Sequence, residues 1–318
     1  MTGAEVVMVQ PAVRAYAESL GVPGHCWLAS LPDTVDQLCQ DWGLRRQAAL
    51  PGGSRFYVCR VMTADGQKAV LKVALPEAVL TTQIATLIAA QGRGYVQVRA
   101  HDSPRGALLM EALGAPADEG SADVRALLTI TAETLARAWG VLPTDAIPGT
   151  ADPTEHKAAG LLALIHECFP SVPPASEQDV LDLALRYAAE RLDAHEPARQ
   201  VHVHGDAHLG NLLPVPEVRR GAESGYVFVD PEGFLCEPEY DLGVAIRGWN
   251  TRLLASADAG AVVRSWCDLL ARSTGTDAEA IWQWAYLERV TTGLYLARHG
   301  LPDLGAPFLT VAQKLLMG

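Results

Sequence analysis

The chain lacks the features that would place it in a membrane, among secreted proteins or among zinc proteins. Its 318 residues contain no apolar run of the roughly 18 residues that a spanning helix needs. Six cysteines are scattered along the chain and none forms a CxxC pair, so neither a zinc site nor a redox site is expected. The first residues lack the basic start and the apolar run of a secretory signal. We therefore expect a cytoplasmic protein with reduced thiols and no membrane partner.

Positive charge is scarce, and the imbalance lies in one part of the chain. The formal net charge is −12. Residues 1–120 carry 10 Lys and Arg against 11 Asp and Glu, whereas residues 121–318 carry 15 against 26. A nucleic-acid-binding domain normally has a basic face, so no nucleic acid partner is expected. The acidic part suits a cationic small molecule, although acidity that only keeps the protein in solution explains it at least as well.

Secondary-structure signals differ between the two parts of the chain. Asp65-Gly66 lies between the β-prone runs 56–62 and 68–73, which predicts a hairpin. Helices are predicted over residues 12–20, 32–42 and 76–90, and two further strands over residues 95–100 and 106–111. Residues 1–113 are therefore expected to hold N-terminal helices and a small antiparallel sheet.

The pattern over residues 114–318 is mostly helical. Helices are predicted over residues 121–141, 154–168 and 177–195, and two or three more follow a short β-rich centre at 200–230. With 49% of its residues apolar, the chain can bury the core of one large domain or of two lobes. We predict an α+β architecture divided at about residue 113. A monomer and a dimer are equally compatible with the sequence.

Three separated segments carry residue types that suit phosphate chemistry. Lys72 lies in the middle of an apolar strand, where its long stem could bring an ammonium to a phosphate. A lone strand lysine is more often a surface residue, so this signal is weak by itself. Residues 204–211 form the polar loop His-Gly-Asp-Ala-His-Leu-Gly-Asn, and an apolar strand at 226–229 ends in the carboxylate of Asp230.

The spacing within the loop is the most informative of these signals. Asp206 and Asn211 lie five positions apart, as D-x-x-x-x-N, which is the spacing of kinase catalytic loops. There the aspartate accepts a hydroxyl proton and the asparagine binds a metal ion. An ordinary polar turn also uses Asp and Asn. The order Lys72, Asp206, Asn211, Asp230 argues against a simple turn, because it adds a phosphate cation and a second metal ligand.

These segments resemble the aminoglycoside phosphotransferase superfamily, which shares the protein-kinase fold. His-Gly-Asp at 204–206 stands where protein kinases have H-R-D. The stretch from Asp230 to Leu242 resembles the D-P-[KE]-x-x-x-G-[DE]-P-x-[YF]-D-L motif of the branch with streptomycin 6-phosphotransferase and hydroxyurea phosphotransferase. The resemblance extends from about Trp27 onward. It implies a bilobal protein-kinase-like fold, with a small antiparallel-sheet N-lobe that binds nucleotide and a mostly helical C-lobe that holds the catalytic loop and the substrate site.

The resemblance also implies roles for the motif residues. Asp206 would be the catalytic base, Asn211 and Asp230 would hold Mg²⁺, and Lys72 would contact the phosphates of ATP. Ser54, in a weak glycine-rich loop, could cap a phosphate together with backbone amides. Other implied positions are Glu111 and Leu113 beside the adenine, His204 and His208 within the loop, and Asp241 as a brace for that loop. His208 could instead contact the substrate.

The implied activity is transfer of the γ-phosphoryl group of ATP to a hydroxyl of a small, cationic, antibiotic-like molecule. A metabolic kinase for a sugar, a choline-like or a nucleoside-like compound is the alternative among enzymes. A non-catalytic nucleotide-binding protein is the alternative of another class. Acidic contacts to an amino sugar could come from Glu237, Glu239, Asp268, Asp277, Glu279 and Glu288.

Three positions depart from the patterns of kinases and of this superfamily. Gln83 stands where kinases place the carboxylate partner of the strand lysine, so the partner of Lys72 is left unassigned. Trp139 stands where many relatives have histidine, and Cys236 where they often have glycine. These departures affect the expected substrate more than the expected reaction.

Overall fold

A five-stranded antiparallel sheet forms the N-terminal lobe, and helices form most of the C-terminal lobe. The computed structural model describes residues 7–51, 53, 55–76, 80–117, 120, 123–141, 156–168 and 178–316. The elements of the first lobe are α1 (Pro11–Ser19), α2 (Val22–Asp41), β1 (Arg45–Ala49), β2 (Phe56–Met62), β3 (Lys68–Ala74), α3 (Thr81–Ala90), β4 (Val98–Asp102) and β5 (Ala107–Glu111). The strands are hydrogen-bonded in the order β1-β2-β3-β5-β4.

The hairpin of β2 and β3 places Lys72 on one particular face of the sheet. Successive side chains of a strand point to opposite faces. Leu71 and Val73 are buried against α2, in a core that also contains Leu31, Val35 and Leu38. Lys72 therefore points to the other face, toward α3 and the second lobe, and its side chain is buried there.

The C-terminal lobe consists of helices around two short pairs of strands. Its helices are α4 (Val124–Ala138), α5 (Lys157–Cys168), α6 (Gln178–Asp193), α7 (Glu239–Ile246), α8 (Asn250–Ala255), α9 (Ala259–Thr274), α10 (Ala278–Arg298) and α11 (Pro302–Leu316). Its strands are β6 (Val201–Val203), β7 (Leu212–Pro214), β8 (Tyr226–Phe228) and β9 (Phe234–Cys236). β6 pairs with β9 and β7 pairs with β8, both antiparallel.

The two lobes are joined by backbone hydrogen bonds near Asp230, one of the predicted metal ligands. The N–H of Val96 donates to the carbonyl of Phe228 at 2.9 Å, and the N–H of Phe228 donates to the carbonyl of Gly94 at 2.8 Å. Phe228 lies only two residues before Asp230. This connection therefore fixes the end of β8 against the N-terminal lobe.

The predicted α+β architecture, with an antiparallel-sheet lobe and a mostly helical lobe, is confirmed, while several predicted elements differ in extent. α2 begins at Val22, not near residue 32, because Pro32 is accommodated inside the helix. β1 was not predicted, since its polar side chains show no alternation of buried and exposed positions. β9 extends the β-rich centre beyond residue 230.

The helical predictions differ in the same way. α3 begins at Thr81, later than the predicted start at 76. The final part holds five helices where two or three were expected, because short helices such as the six-residue α8 carry no readable period. In the part of the chain that the structure describes, no helix has both the length and the apolar character needed to cross a membrane.

The contact between α7 and α10 gives a test of this packing. A Cβ on Gly243 would lie 2.6 Å from the Cβ of Trp284 and 2.8 Å from the backbone nitrogen of Ala285. Gly243→Ala should therefore separate the two helices and lower the free energy of unfolding by about 1–3 kcal/mol. The measurement is urea denaturation.

Gly160 in α5 is the matched control, because no described atom lies within 4 Å of a Cβ placed there. Gly160→Ala should be neutral or stabilise the protein by up to about 1 kcal/mol. Equal effects of the two substitutions would contradict the packing of α7 on α10.

Candidate active site

A polar loop between β6 and β7 carries the predicted catalytic segment. The chain turns sharply at Gly205, whose φ of 88° lies in the left-handed region that favours glycine. A Cβ on Gly205 would also lie 2.6 Å from the ring of Phe234 and 2.8 Å from the Cβ of Glu232. Both the turn and the close approach of β9 therefore require glycine here. The loop then closes with a 3₁₀ turn that ends at Asn211.

The carboxylate of Asp241 holds the start of this loop in place. Asp241 is fully buried at the start of α7. It accepts hydrogen bonds from the backbone N–H groups of His204 at 2.8 Å and Gly205 at 2.9 Å. The indole N–H of Trp139 donates a third bond to it, at 2.9 Å. Trp139, which stands where many relatives have histidine, thus helps Asp241 to hold the loop.

His204 links the loop to the end of β8. Its Nδ1 accepts a hydrogen bond from the backbone N–H of Asp206 at 3.0 Å. Its Nε2 lies 2.8 Å from the carbonyl oxygen of Val229 and donates to it. These two partners assign the neutral tautomer with the proton on Nε2. His204 therefore holds Asp206 and the residue before Asp230 in one arrangement.

Both carboxylate oxygens of Asp206 have partners. Oδ1 accepts a bond from Arg247 at 2.6 Å. Oδ2 lies 3.3 Å from Nε2 of His208 and accepts a weak bond from the amide of Asn211, also at 3.3 Å. Burial raises the pKa of Asp206, but the bond from His208 and the charge of Arg247 outweigh it and hold this pKa well below its ordinary value. Asp206 is thus a firmly ionised, partly exposed carboxylate.

An ion pair of Arg247 and Glu288 lies beside Asp206. Arg247 was not predicted as a site residue, and Glu288 was predicted only as a possible contact to an amino sugar. Arg247 bridges Asp206 and Glu288, whose Oε2 lies 3.0 Å from the guanidinium. The hydroxyl of Tyr240 donates to the other oxygen of Glu288 at 2.7 Å. The only local signal was an arginine directly after the apolar run 242–246, which is an unusual place for a charge.

Lys72, Gln83 and Asp230 lie together between the lobes. The ammonium of Lys72 donates to Oε1 of Gln83 at 2.9 Å and to Oδ1 of Asp230 at 2.6 Å. It also lies 3.6 Å from the ring centroid of Phe56. Gln83 therefore occupies the position of the kinase carboxylate, but as a neutral amide. Burial lowers the pKa of Lys72, and the charge of Asp230 opposes that effect.

Asn211 and Asp230 offer oxygen donors that suit a divalent cation. The amide nitrogen of Asn211 donates to the backbone carbonyl of Asp206 at 2.9 Å, which directs its amide oxygen away from the loop. The backbone carbonyl of Asn211 accepts from the N–H of Val229 at 2.9 Å, so the two candidate ligands come from adjoining segments. One carboxylate and one amide fit a cation that takes its other ligands from phosphate and water. Within the described ranges, no group of three or more His, Cys, Asp or Glu side chains could hold a metal.

The remaining predicted positions lie around these groups. The side chain of Glu111, at the end of β5, forms an ion pair with Arg219 and accepts from the N–H of Gln97 at 2.9 Å. Leu113 is partly buried against the main core. Ser54 lies outside the described residues, so its contacts are not part of this description.

Three of the proposed acidic substrate contacts are occupied by internal partners. Glu239 is paired with Arg199 at 2.6 Å and Glu237 with Arg191 at 3.3 Å. Glu288 is bound to Arg247, as described above. Two others act elsewhere, since Asp277 caps α10 and Glu279 pairs with Arg264 on the surface. Five of the six proposed acidic contacts therefore have partners within the fold.

Comparison with known proteins assigns the chain. Residues 41–300 match the family described as aminoglycoside/hydroxyurea antibiotic resistance kinase. The chain belongs to this family. It is 28% identical over 311 residues to a streptomycin 6-kinase of Streptomyces glaucescens, covering 98% of this chain and 97% of that protein. It is 30% identical over 318 residues to a hydroxyurea phosphotransferase of Kitasatospora aureofaciens, covering 99% of this chain and 87% of that protein.

A solved choline kinase from Streptococcus pneumoniae shares the fold of this resistance-family kinase, with a TM-score of 0.62 and 14% identity. That match covers 91% of this chain and 99% of the other. The predicted resemblance and the predicted enzyme class are confirmed: the protein is a phosphotransferase that acts on hydroxyl groups of small molecules. Membership of a kinase family implies the use of ATP together with a divalent metal ion.

Removal of Arg247 tests the electrostatics of the kinase site. In Arg247→Met, burial acts on Asp206 without the opposing guanidinium, so the pKa of Asp206 should rise. The acid limb of the kcat/KM profile for ATP hydrolysis should move to higher pH. Because Asp206 and Glu288 both lose their arginine partner, Arg247→Met should also lower the free energy of unfolding by about 3 kcal/mol.

Arg264→Met is the control, because Arg264 pairs with Glu279 at an exposed site. Arg264→Met should leave the pH profile unchanged and should lower the free energy of unfolding by less than about 1 kcal/mol. An acid limb that stays in place in Arg247→Met would contradict the role of Arg247 in holding Asp206 ionised.

Proposed function

We propose that the protein transfers the γ-phosphoryl group of ATP, with Mg²⁺, to a hydroxyl of a small antibiotic and so confers resistance. The observation that carries this proposal is the convergence of Lys72, Asp206, Asn211 and Asp230. These four residues come from distant parts of the chain, yet they belong to two hydrogen-bonded groups that the backbone bond between Val229 and Asn211 connects. They supply the parts that phosphoryl transfer needs, namely a phosphate cation, a hydroxyl-orienting carboxylate and metal ligands.

The role of Asp206 follows from its electrostatics. A carboxylate with a depressed pKa is a weak proton acceptor. Its main contribution is therefore to orient the acceptor hydroxyl by accepting its hydrogen bond, and to take the proton late in the transfer. Arg247 and Asn211 fix the carboxylate, so its orientation needs no rearrangement when the hydroxyl arrives. His208, which also touches Asp206, either orients the carboxylate or contacts the acceptor.

The nucleotide would lie between the two lobes, with residues 1–113 as the nucleotide-binding lobe. Lys72 would exchange Asp230 for the phosphates, since a buried ammonium needs an anionic partner. Asn211 and Asp230 would hold Mg²⁺, which neutralises charge on the phosphates when bound. Backbone groups from Glu111 to Leu113 would border the adenine, and Ser54 would lie near the phosphates. The C-terminal lobe, residues 114–318, would hold the acceptor.

The named activities of the relatives suggest the acceptor class. Two relatives are a streptomycin 6-kinase and a hydroxyurea phosphotransferase, and both align with nearly the whole of this chain. We propose an aminoglycoside such as streptomycin, or a similar small antibiotic, as the acceptor. A metabolic kinase with the same site is the alternative, and the acceptor screen below separates the two.

Substitution of Asp206 tests the proposed reaction. Asp206→Asn keeps the size of the side chain but removes its charge. We expect kcat to fall at least about 100-fold, because hydroxyl orientation and proton acceptance are both lost. The dissociation constant for ATP, measured by calorimetry with Mg²⁺, should change little.

Asp303→Asn, at an exposed position in the first turn of α11, serves as the matched control and should keep full activity. Full activity of Asp206→Asn would overturn the role of Asp206. Mg²⁺-dependent ATP binding without phosphoryl transfer to any acceptor would instead favour the non-catalytic nucleotide-binding alternative.

An acceptor screen tests the substrate class. The protein is incubated with ATP, Mg²⁺ and single compounds: streptomycin, other aminoglycosides, cationic peptide antibiotics, hydroxyurea, choline and amino sugars. Mass spectrometry detects the phosphorylated product. We expect a kcat/KM on the order of 10⁴ M⁻¹s⁻¹ or more for an antibiotic. A metabolite that exceeds every antibiotic in kcat/KM would overturn the resistance function but leave the reaction standing.

A further inference from the structure

A cation already occupies a small site beside the catalytic loop. The ammonium of Lys157, the first residue of α5, lies 3.6 Å from a carboxylate oxygen of Glu232. It also lies 5.2 Å from the ring centroid of Phe234 and 5.4 Å from that of Tyr240. A carboxylate and two aromatic rings are the groups that bind an organic cation. We call Glu232, Phe234 and Tyr240 the cation site.

The cation site is in direct contact with the residue that precedes Asp206. Glu232 and Phe234 approach Gly205 so closely that no side chain would fit there. The hydroxyl oxygen of Tyr240 lies 3.2 Å from the carbonyl oxygen of Gly205, and its ring packs edge-on against Phe234 with centroids 5.5 Å apart. A cation bound here would therefore lie next to the carboxylate that we propose to orient the acceptor hydroxyl.

Lys157 makes a longer ion-pair contact than the neighbouring Arg247. Its distance of 3.6 Å to Glu232 is longer than a hydrogen bond, and the Glu232 side chain is 55% exposed. Arg247, by contrast, makes bonds of 2.6 and 3.0 Å to two carboxylates. Glu237 and Glu239 are likewise held by close arginines. Among these glutamates, Glu232 is the one whose partner is a lysine, and the side chain of that lysine is 26% exposed.

We propose that the cation site binds an ammonium or guanidinium group of the acceptor, and that Lys157 occupies it when no acceptor is bound. The cationic group replaces Lys157 because a planar guanidinium can stack on the rings while it pairs with Glu232. This inference rests on the proposed function in one respect, namely that the acceptor hydroxyl reaches Asp206. It names the chemistry of the acceptor as a cation close to the hydroxyl that is phosphorylated.

Binding of a minimal cation tests the site without any need for turnover. Methylguanidinium is titrated into the full-length protein, with N-methylurea as a neutral compound of the same shape, and binding is followed by NMR. Lys157→Met removes the competing ammonium but keeps the length of the side chain. We expect methylguanidinium to bind Lys157→Met about tenfold more tightly than the unmodified protein, and N-methylurea to bind neither.

The double variant Lys157→Met with Glu232→Gln is the matched control and should lose the gain in affinity. If Lys157→Met does not fold, as judged by its melting transition, Lys157→Gln takes its place, since Lys157 is at a helix start and partly exposed. The proposal is overturned if the lysine variant binds methylguanidinium no better than the unmodified protein, or if the double variant keeps the gain.

The same variants separate this inference from the proposed function. In the acceptor screen, Lys157→Met should lower KM for streptomycin, which carries guanidinium groups, and leave KM for hydroxyurea unchanged. Methylguanidinium binding without phosphorylation of any acceptor would sink the proposed function and leave the cation site intact. Phosphorylation of streptomycin without any effect of Lys157→Met on its KM would sink the cation site alone.

Discussion

The buried carboxylate of Asp241 is the interaction on which the rest of the site depends. It gathers three N–H donors, two from the backbone of the catalytic loop and one from Trp139. A buried carboxylate needs such donors, and the backbone of a sharp turn needs such an acceptor, so each group satisfies the other. α7 packs tightly on α10 through Gly243, and this packing fixes the position of Asp241 relative to the helical core. The core thereby determines where Asp206 lies.

Charges of opposite sign are then arranged in pairs around that fixed loop. Lys72 is paired with Asp230, and Arg247 with Asp206. A charge enclosed by protein is costly unless it has a partner, so these pairs allow reactive groups to stay ionised without a ligand. In the proposed reaction the phosphates and the divalent metal would take over as partners of Lys72 and Asp230. Asp206 would keep Arg247 while it binds the acceptor hydroxyl.

The sequence left the acidity of the C-terminal lobe open between a cationic acceptor and solubility, and the structure gives several of its carboxylates partners within the fold. Most of the acidic residues predicted to contact an amino sugar are bound to arginines of the same lobe or cap its helices. They stabilise the fold rather than an acceptor. In the proposed cation site, Glu232 and two aromatic rings would bind a cation next to Asp206 in competition with Lys157. Net charge alone could not distinguish these roles, since paired and unpaired carboxylates count equally.

The sequence by itself predicted the reaction class, which the comparisons confirm, and it nominated four residues for the reaction. Four residues could be predicted because each lies in a strand or loop with a recognisable local motif. They are Lys72, Asp206, Asn211 and Asp230. The hairpin of β2 and β3 was equally readable, since its turn residues and its alternation are local. The roles of these residues in catalysis remain predictions.

Only the tertiary structure decided which groups these residues meet. Lys72 and Asp230 are separated by 158 positions, and Asp206 and Arg247 by 41. Gln83 as the partner of Lys72, Arg247 as the partner of Asp206, and Lys157 in the cation site all depend on how helices pack across the cleft. Such contacts leave no periodic trace in the chain, because each partner obeys the pattern of its own helix or strand. The reaction class could therefore be predicted from local sequence motifs. The charged partners that set the pKa values of the site residues depend on long-range packing.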